Sequence, residues 1–108
     1  MVVPDARIVL VTAPDEAEAV ALCRALLGER LVACGSIVRG VRSLYRWEDR
    51  IEDKAESLIV LKTVSAKIPI LLERVPELHS YEAPEVVVLD VETGSEPYLS
   101  WITRETVG

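Results

Sequence analysis

Phenylalanine is absent from this chain of 108 residues, and its aromatic set is two Trp and three Tyr. Half the residues are hydrophobic, so Val, Leu, Ile and Ala must fill the core. Long apolar runs are also missing. The longest are four or five residues, far below the roughly 20 that a transmembrane helix needs. The stretch Met1-Val2-Val3-Pro4-Asp5 has no cluster of positive charge and no small-residue cleavage site, so nothing there marks export and a cytoplasmic location is expected. Basic residues are outnumbered, 12 against 18 acidic ones, for a formal charge of −6. Such a surface repels nucleic-acid phosphates and anionic lipid, which excludes both as partners. Two cysteines make no disulfide framework and are read as reduced thiols. A single histidine cannot build a His-rich metal site. Catalytic signatures are missing too. There is no Ser-His-Asp set, no P-loop, no Gly-rich dinucleotide fingerprint and no HExxH, so binding rather than catalysis is expected.

What is present reads as one domain over residues 1–108. Arg7 to Ala13 is a continuous β-branched run suited to a strand buried on both faces. Asp15 stands where it can cap a helix, with Glu18 at capping-box spacing. That helix reaches about Glu29 with Ala19, Leu22, Cys23 and Leu26 on its apolar stripe. Leu31 to Val38 reads as a second strand, with Gly35 and Gly40 bracketing a bend. Val41 to Lys62 reads as a long hairpin whose tip lies in the charged stretch Glu48 to Lys54. Thr63 or Ser65 opens a second helix with Ile68, Leu71, Leu72, Val75 and Leu78 on one face. Pro69 is harmless in its first turn, whereas Pro76 should kink the helix or end its regular part early. Glu85 to Val91 is the last strand, and Pro97 starts a short terminal helix with Tyr98 and Ile102 inward. The order is β-α-β-β-α-β plus a helix, the ferredoxin-like α+β plan.

Both crossover helices lie on one face of such a sheet. The other face should alternate apolar with polar if water covers it. Ile8-Val9-Leu10-Val11, Leu58-Ile59-Val60-Leu61 and Val86-Val87-Val88-Leu89 do not alternate. The exposed patch would reach several hundred Å², more than a monomer usually tolerates. Covering it is worth on the order of 10 kcal/mol before association costs. A trimer of identical chains is expected to do so.

Several stretches, in order and in register, resemble the CutA family of divalent-cation tolerance proteins. They are Val11-Thr12-Ala13-Pro14-Asp15-Glu16, Leu31-Val32-Ala33-Cys34, Gly40 to Glu48, Leu61-Lys62-Thr63, Leu78-His79-Ser80-Tyr81-Glu82-Ala83-Pro84-Glu85 and Tyr98-Leu99-Ser100-Trp101. The resemblance runs from about Ile8 to Thr103. It implies a ferredoxin-like homotrimer shaped like the nitrogen-regulatory PII proteins, a β-arm reaching between subunits, and a cytoplasmic role in metal tolerance with copper as the proposed ion. Two of the three copper ligands proposed for the family are missing. Val11 stands where some members have Cys, and Leu78 precedes His79 where they have paired histidines. Gly35, Ser80 and Asp49 replace a usual Asn, Pro and Gly.

The residues carried over from these motifs form the candidate site. Cys34, His79 and Glu82 are the candidate metal ligands, with no obligatory cofactor and copper or another divalent ion held weakly. Lys62 and Tyr81 line the candidate ligand cleft. Tyr45 and Trp47 fall on one face of the arm and are expected at the trimer interface. Each has a plainer reading. Cys34 is a small buried residue, His79 is an imidazolium at a helix C-terminus, and Lys62 is a snorkelling edge residue. Cys23 is read as packing alone. The alternative function is a PII-like sensor that binds a small anion at the subunit clefts, with Lys62 and His79 as the cationic groups.

Overall fold

A computed structural model describes residues 5–107. Met1–Pro4, the start of the segment read for export signals, lies outside the described residues. Strand β1 (Ala6–Ala13) leads into helix α1 (Glu16–Gly28), then the long strands β2 (Cys34–Trp47) and β3 (Arg50–Val64). A single 3-10 turn (Ser65–Lys67) precedes helix α2 (Ile68–Leu78), strand β4 (Val86–Asp90) and helix α3 (Glu96–Glu105). The strands form one sheet in the order β2-β3-β1-β4, every pair antiparallel, which is the ferredoxin-like arrangement.

The two faces of the sheet differ because side chains alternate along each strand. Val9, Val11 and Ala13 of β1, with Ile59 and Leu61 of β3, turn toward α1 and α2 and are fully buried. Ala19, Leu22, Cys23 and Leu26 meet them from α1, as their helical spacing predicts. Asp15 accepts from the Glu18 N–H at 2.8 Å and caps α1. The Glu18 carboxylate does not complete the box. It turns instead to the Ser80 N–H and hydroxyl, at 3.0 and 2.9 Å.

Helix α2 runs to Leu78 with Pro76 inside it rather than ending early. The carbonyl that Pro76 leaves without a partner belongs to Leu72, which lies on the outer side. Leu72 is half exposed, and the buried face is made by Leu71 and Val75 with Ile68 and Leu78 beside them. Residues 31–33, expected in the second strand, instead lead into it as irregular chain, and β2 begins at Cys34.

On the opposite face three cross-strand rows lie open. Register places Leu89, Ile8, Lys62 and Cys34 in one row, then Val87, Leu10, Val60 and Ser36, then Thr12, Leu58 and Val38. Helix α3 covers only the end nearest the start of β1, where Ile102 packs with Ala6, Ala33 and Val64. Tyr98, expected inward on α3, is 44% exposed.

Beyond the sheet, β2 and β3 continue as a two-stranded arm, and the molecule measures 48 Å along its longest axis. A register shift between Val38 and Val41 marks where the arm departs, with Gly40 at φ +73°. That left-handed conformation suits glycine. The arm's turn is only Glu48 and Asp49, at φ +49° and +63°, and Arg50 already pairs with Trp47. These values belong to a type I′ hairpin turn.

Candidate functional site

The candidate residues separate into two places. Cys34 and Lys62 lie opposite each other on β2 and β3, on the open face of the sheet. The Lys62 Nζ donates to the Ser36 hydroxyl at 2.8 Å and stands 3.8 Å from the Cys34 Sγ. Tyr98 of α3 is close by. Its hydroxyl pKa is pushed up, first by loss of solvent and then by the neighbouring Cys34 thiol.

His79, Tyr81 and Glu82 gather at the other end of the core strands. The His79 side chain has no exposure at all. Its Nε2–H donates to the Thr12 carbonyl at 2.7 Å, and its Nδ1 accepts from the Tyr81 N–H at 3.0 Å. Glu18 Oε2 makes a longer 3.5 Å contact with that same nitrogen. A carbonyl on one side and an N–H on the other select the neutral tautomer with hydrogen on Nε2. The imidazole thus ties β1 to the chain after α2. It is not an imidazolium set against the helix end, and neither nitrogen has a lone pair free for a metal.

Ile8 and Thr12, the β1 residues in register with these two places, are four positions apart, about 13 Å along a strand. One chain therefore does not bring Cys34 and His79 together. Glu82 is exposed in the loop after His79, and no group of three His, Cys, Asp or Glu side chains suited to a metal forms among the described residues.

A residue that the sequence did not mark stands out here. Glu56, at the point where β3 leaves the arm, is only 6% exposed. It accepts from the Tyr81 hydroxyl at 2.6 Å. Burial, and then the Glu56 carboxylate, push the Tyr81 phenol well above its usual range. The pair closes the inner end of a groove of about 840 Å³ that runs up the arm, with Tyr45, Trp47 and Glu82 also on its walls. Cys34, Lys62 and His79 take no part in that groove. The tyrosine and tryptophan share one face of the arm, as alternation requires, and are 37% and 46% exposed.

Residues 7–105 match the family described as CutA1 divalent ion tolerance protein. The chain belongs to that family. The divalent-cation tolerance protein CutA of Thermus thermophilus is 41% identical over 99 residues, covering 92% of this chain and 96% of the relative. That of Citrobacter koseri is 43% identical over 100 residues, covering 93% and 87%. Among solved structures, CutA from Xylella fastidiosa superposes with a TM-score of 0.92 at 34% identity, over 95% of this chain and 99% of that one. Within the CutA1 frame, this chain keeps the fold and the arm, while its one histidine is held by backbone groups. No helix among the described residues is long and apolar enough to cross a membrane.

Proposed function

We propose that this CutA1-family chain works as a cytoplasmic homotrimer in tolerance to divalent cations, by binding rather than by catalysis. The open sheet face carries the reading. Ile8, Leu10, Leu58, Val60, Val87 and Leu89 form a continuous apolar surface there, and Val87 and Leu89 are 45% and 44% exposed in the single chain. Helix α3 is too short to cover it, so the economical cover is further copies of the chain. The aromatic face of the arm, with Tyr45 and Trp47, supports a second zone of contact with a neighbour.

Copper would be bound at the subunit boundaries and weakly. Among the described residues Cys34 is the one soft donor on the open face, and a neighbour must complete its coordination shell. Binding of this kind should tighten as pH rises, since the thiolate is the ligand. A sensor for a small anion is the second reading. It is favoured by Lys62, whose ammonium meets a hydroxyl and a thiol and, among the described residues, no carboxylate within 4 Å.

Light scattering coupled to size exclusion tests the assembly, with a mass three times 11.9 kDa expected. A single species of 11.9 kDa overturns it. Calorimetric titration of copper into wild type and Cys34→Ser tests the metal, with loss of binding expected in the variant and His79→Ala close to wild type. Thermal stabilisation by phosphate that survives chelation and disappears in Lys62→Met would favour the anion instead.

A further inference from the structure

Two unpaired charges of opposite sign lie on one continuous face of the chain. Alternation along β3 carries the open side of the sheet from Lys62, Val60 and Leu58 on to Glu56 and up the aromatic side of the arm. Lys62 is the only charged residue in the three open cross-strand rows. Its ammonium meets the Ser36 hydroxyl and the Cys34 thiol. Glu56 is 6% exposed, and its Oε2 accepts from the Tyr81 hydroxyl. Among the described residues, no carboxylate comes within 4.0 Å of Lys62, and no Lys, Arg or His nitrogen comes within 4.0 Å of Glu56. Six positions along one strand hold the two about 20 Å apart, so they do not meet within a chain.

We propose that these charges pair between chains: on assembly the Lys62 ammonium of each chain takes the Glu56 carboxylate of a neighbour. The pair rests on the trimer proposed above and adds the contact that sets how its chains align. Covering the open face takes water from Lys62. Covering the aromatic side of the arm takes it from what stays open at Glu56. A charge left dry without a partner opposes assembly, and an opposite charge within hydrogen-bond reach offsets that cost. Other charges on the arm have no such need. Arg42 is held by Asp53 through two bonds of 2.9 and 2.7 Å, Arg50 leans toward Glu52 at 4.0 Å, and Lys54 and Glu82 are exposed. In a closed ring one patch of each chain meets a different patch of the next. Every boundary then matches one ammonium with one carboxylate, and neither is left over. Tyr81 holds Oε2 from within its own chain, which leaves Oε1 for the neighbour.

Sedimentation velocity over a dilution series tests the pair in wild type, Glu56→Gln, Lys62→Met and the double variant. Each single change leaves one charge dry and should weaken assembly at least tenfold. Glu56→Gln keeps an acceptor for Tyr81. The double variant leaves no charge unmatched, so its loss should fall well short of the product of the two single losses. Sites about 20 Å apart in one chain act additively, so such coupling reports contact between chains. The sign for Lys62→Met is a second criterion. An ammonium with no carboxylate in a dry contact would make that variant assemble more tightly than wild type. The proposal is overturned if Lys62→Met assembles as well as wild type or better, or if the two losses multiply. It is also overturned if phosphate tightens assembly of wild type and not of Lys62→Met, which puts a free anion on Lys62. Should Glu56→Gln fail to fold by circular dichroism, the sign for Lys62→Met decides alone. A wild-type mass of 11.9 kDa throughout overturns the assembly and the pair with it. A trimer whose losses multiply overturns the pair and leaves the assembly standing.

Discussion

The hydroxyl of Tyr81 reaches back 25 residues to the carboxylate of Glu56, at 2.6 Å, and closes the loop after α2 onto the root of the arm. Tyr81→Phe removes the donor and leaves a buried carboxylate without it, which should cost about 1–3 kcal/mol. The pH profile gives a second readout. Burial and Glu56 raise the folded phenol above its ordinary 10.0. A raised acid contributes stability that is complete below the unfolded value and is lost as pH climbs toward the folded one. Wild type should therefore lose stability above pH 10, and Tyr81→Phe should lose less. Chemical denaturation at pH 8 and pH 11 checks both parts, and parallel pH profiles for the two proteins would count against the buried phenol.

Gly35 leaves room for a sulfur. A Cβ built there would stand 2.7 Å from the Cys23 Sγ and 3.2 Å from Leu61 Cδ2. Gly35→Ala should destabilise by about 1–3 kcal/mol through overpacking. Adding Cys23→Ala removes the nearer atom, so the double variant should be more stable than the sum of the singles. Urea midpoints of the four proteins measure that coupling, and strict additivity would show that Cys23 is not the obstacle.

Val87 is the gentlest place to charge the open face. It is half exposed in the single chain, so Val87→Lys should cost an isolated molecule within about 0.5 kcal/mol. In an assembly that buries this face the ammonium has no partner, and the complex should come apart. Sedimentation velocity of the variant decides. A wild-type sedimentation coefficient would move the contact elsewhere.

At the tip of the arm, Asp49 holds a left-handed backbone at φ +63° without being glycine. Asp49→Gly relieves that conformation and should strengthen the turn by about 1 kcal/mol. Amide exchange of Tyr45 to Ile51 reads the gain directly, and faster exchange in the variant would contradict it.

Much of this architecture is legible in the residues. The β-branched runs, the cap at Asp15 and the stripe Ala19, Leu22, Cys23, Leu26 each carry a local signal, and all appear where that signal puts them. Leu72 and Tyr98 misled because an apolar residue at helical spacing does not say how wide the buried stripe is. Pro76 does not end α2 early, because its cost depends on whether the orphaned carbonyl meets water. Glu56 gave no signal. In sequence it is one acid in the charged run of a hairpin, and its burial comes from Tyr81 on a loop that folds back much later. His79 stands out in the sequence for its rarity, yet its role is fixed by a carbonyl on β1 and an amide two residues on, neither of which has a side-chain identity to read.

Strand β3 is paired on both edges only from Leu58 to Lys62, where β1 and β2 flank it. From Arg50 to Glu56 its sole neighbour is β2. A single strand thus passes from the sheet's interior into a free-standing ribbon, and Glu56 sits at the crossing. Opening the outer part breaks one ladder and little buried surface, whereas opening the inner part means unfolding the domain. The arm can therefore fray, bend or exchange partners as a lever hinged at Glu56, while the core beneath it stays shut. Whatever grips the arm converts that loose lever into a rigid strut without touching the rest of the fold.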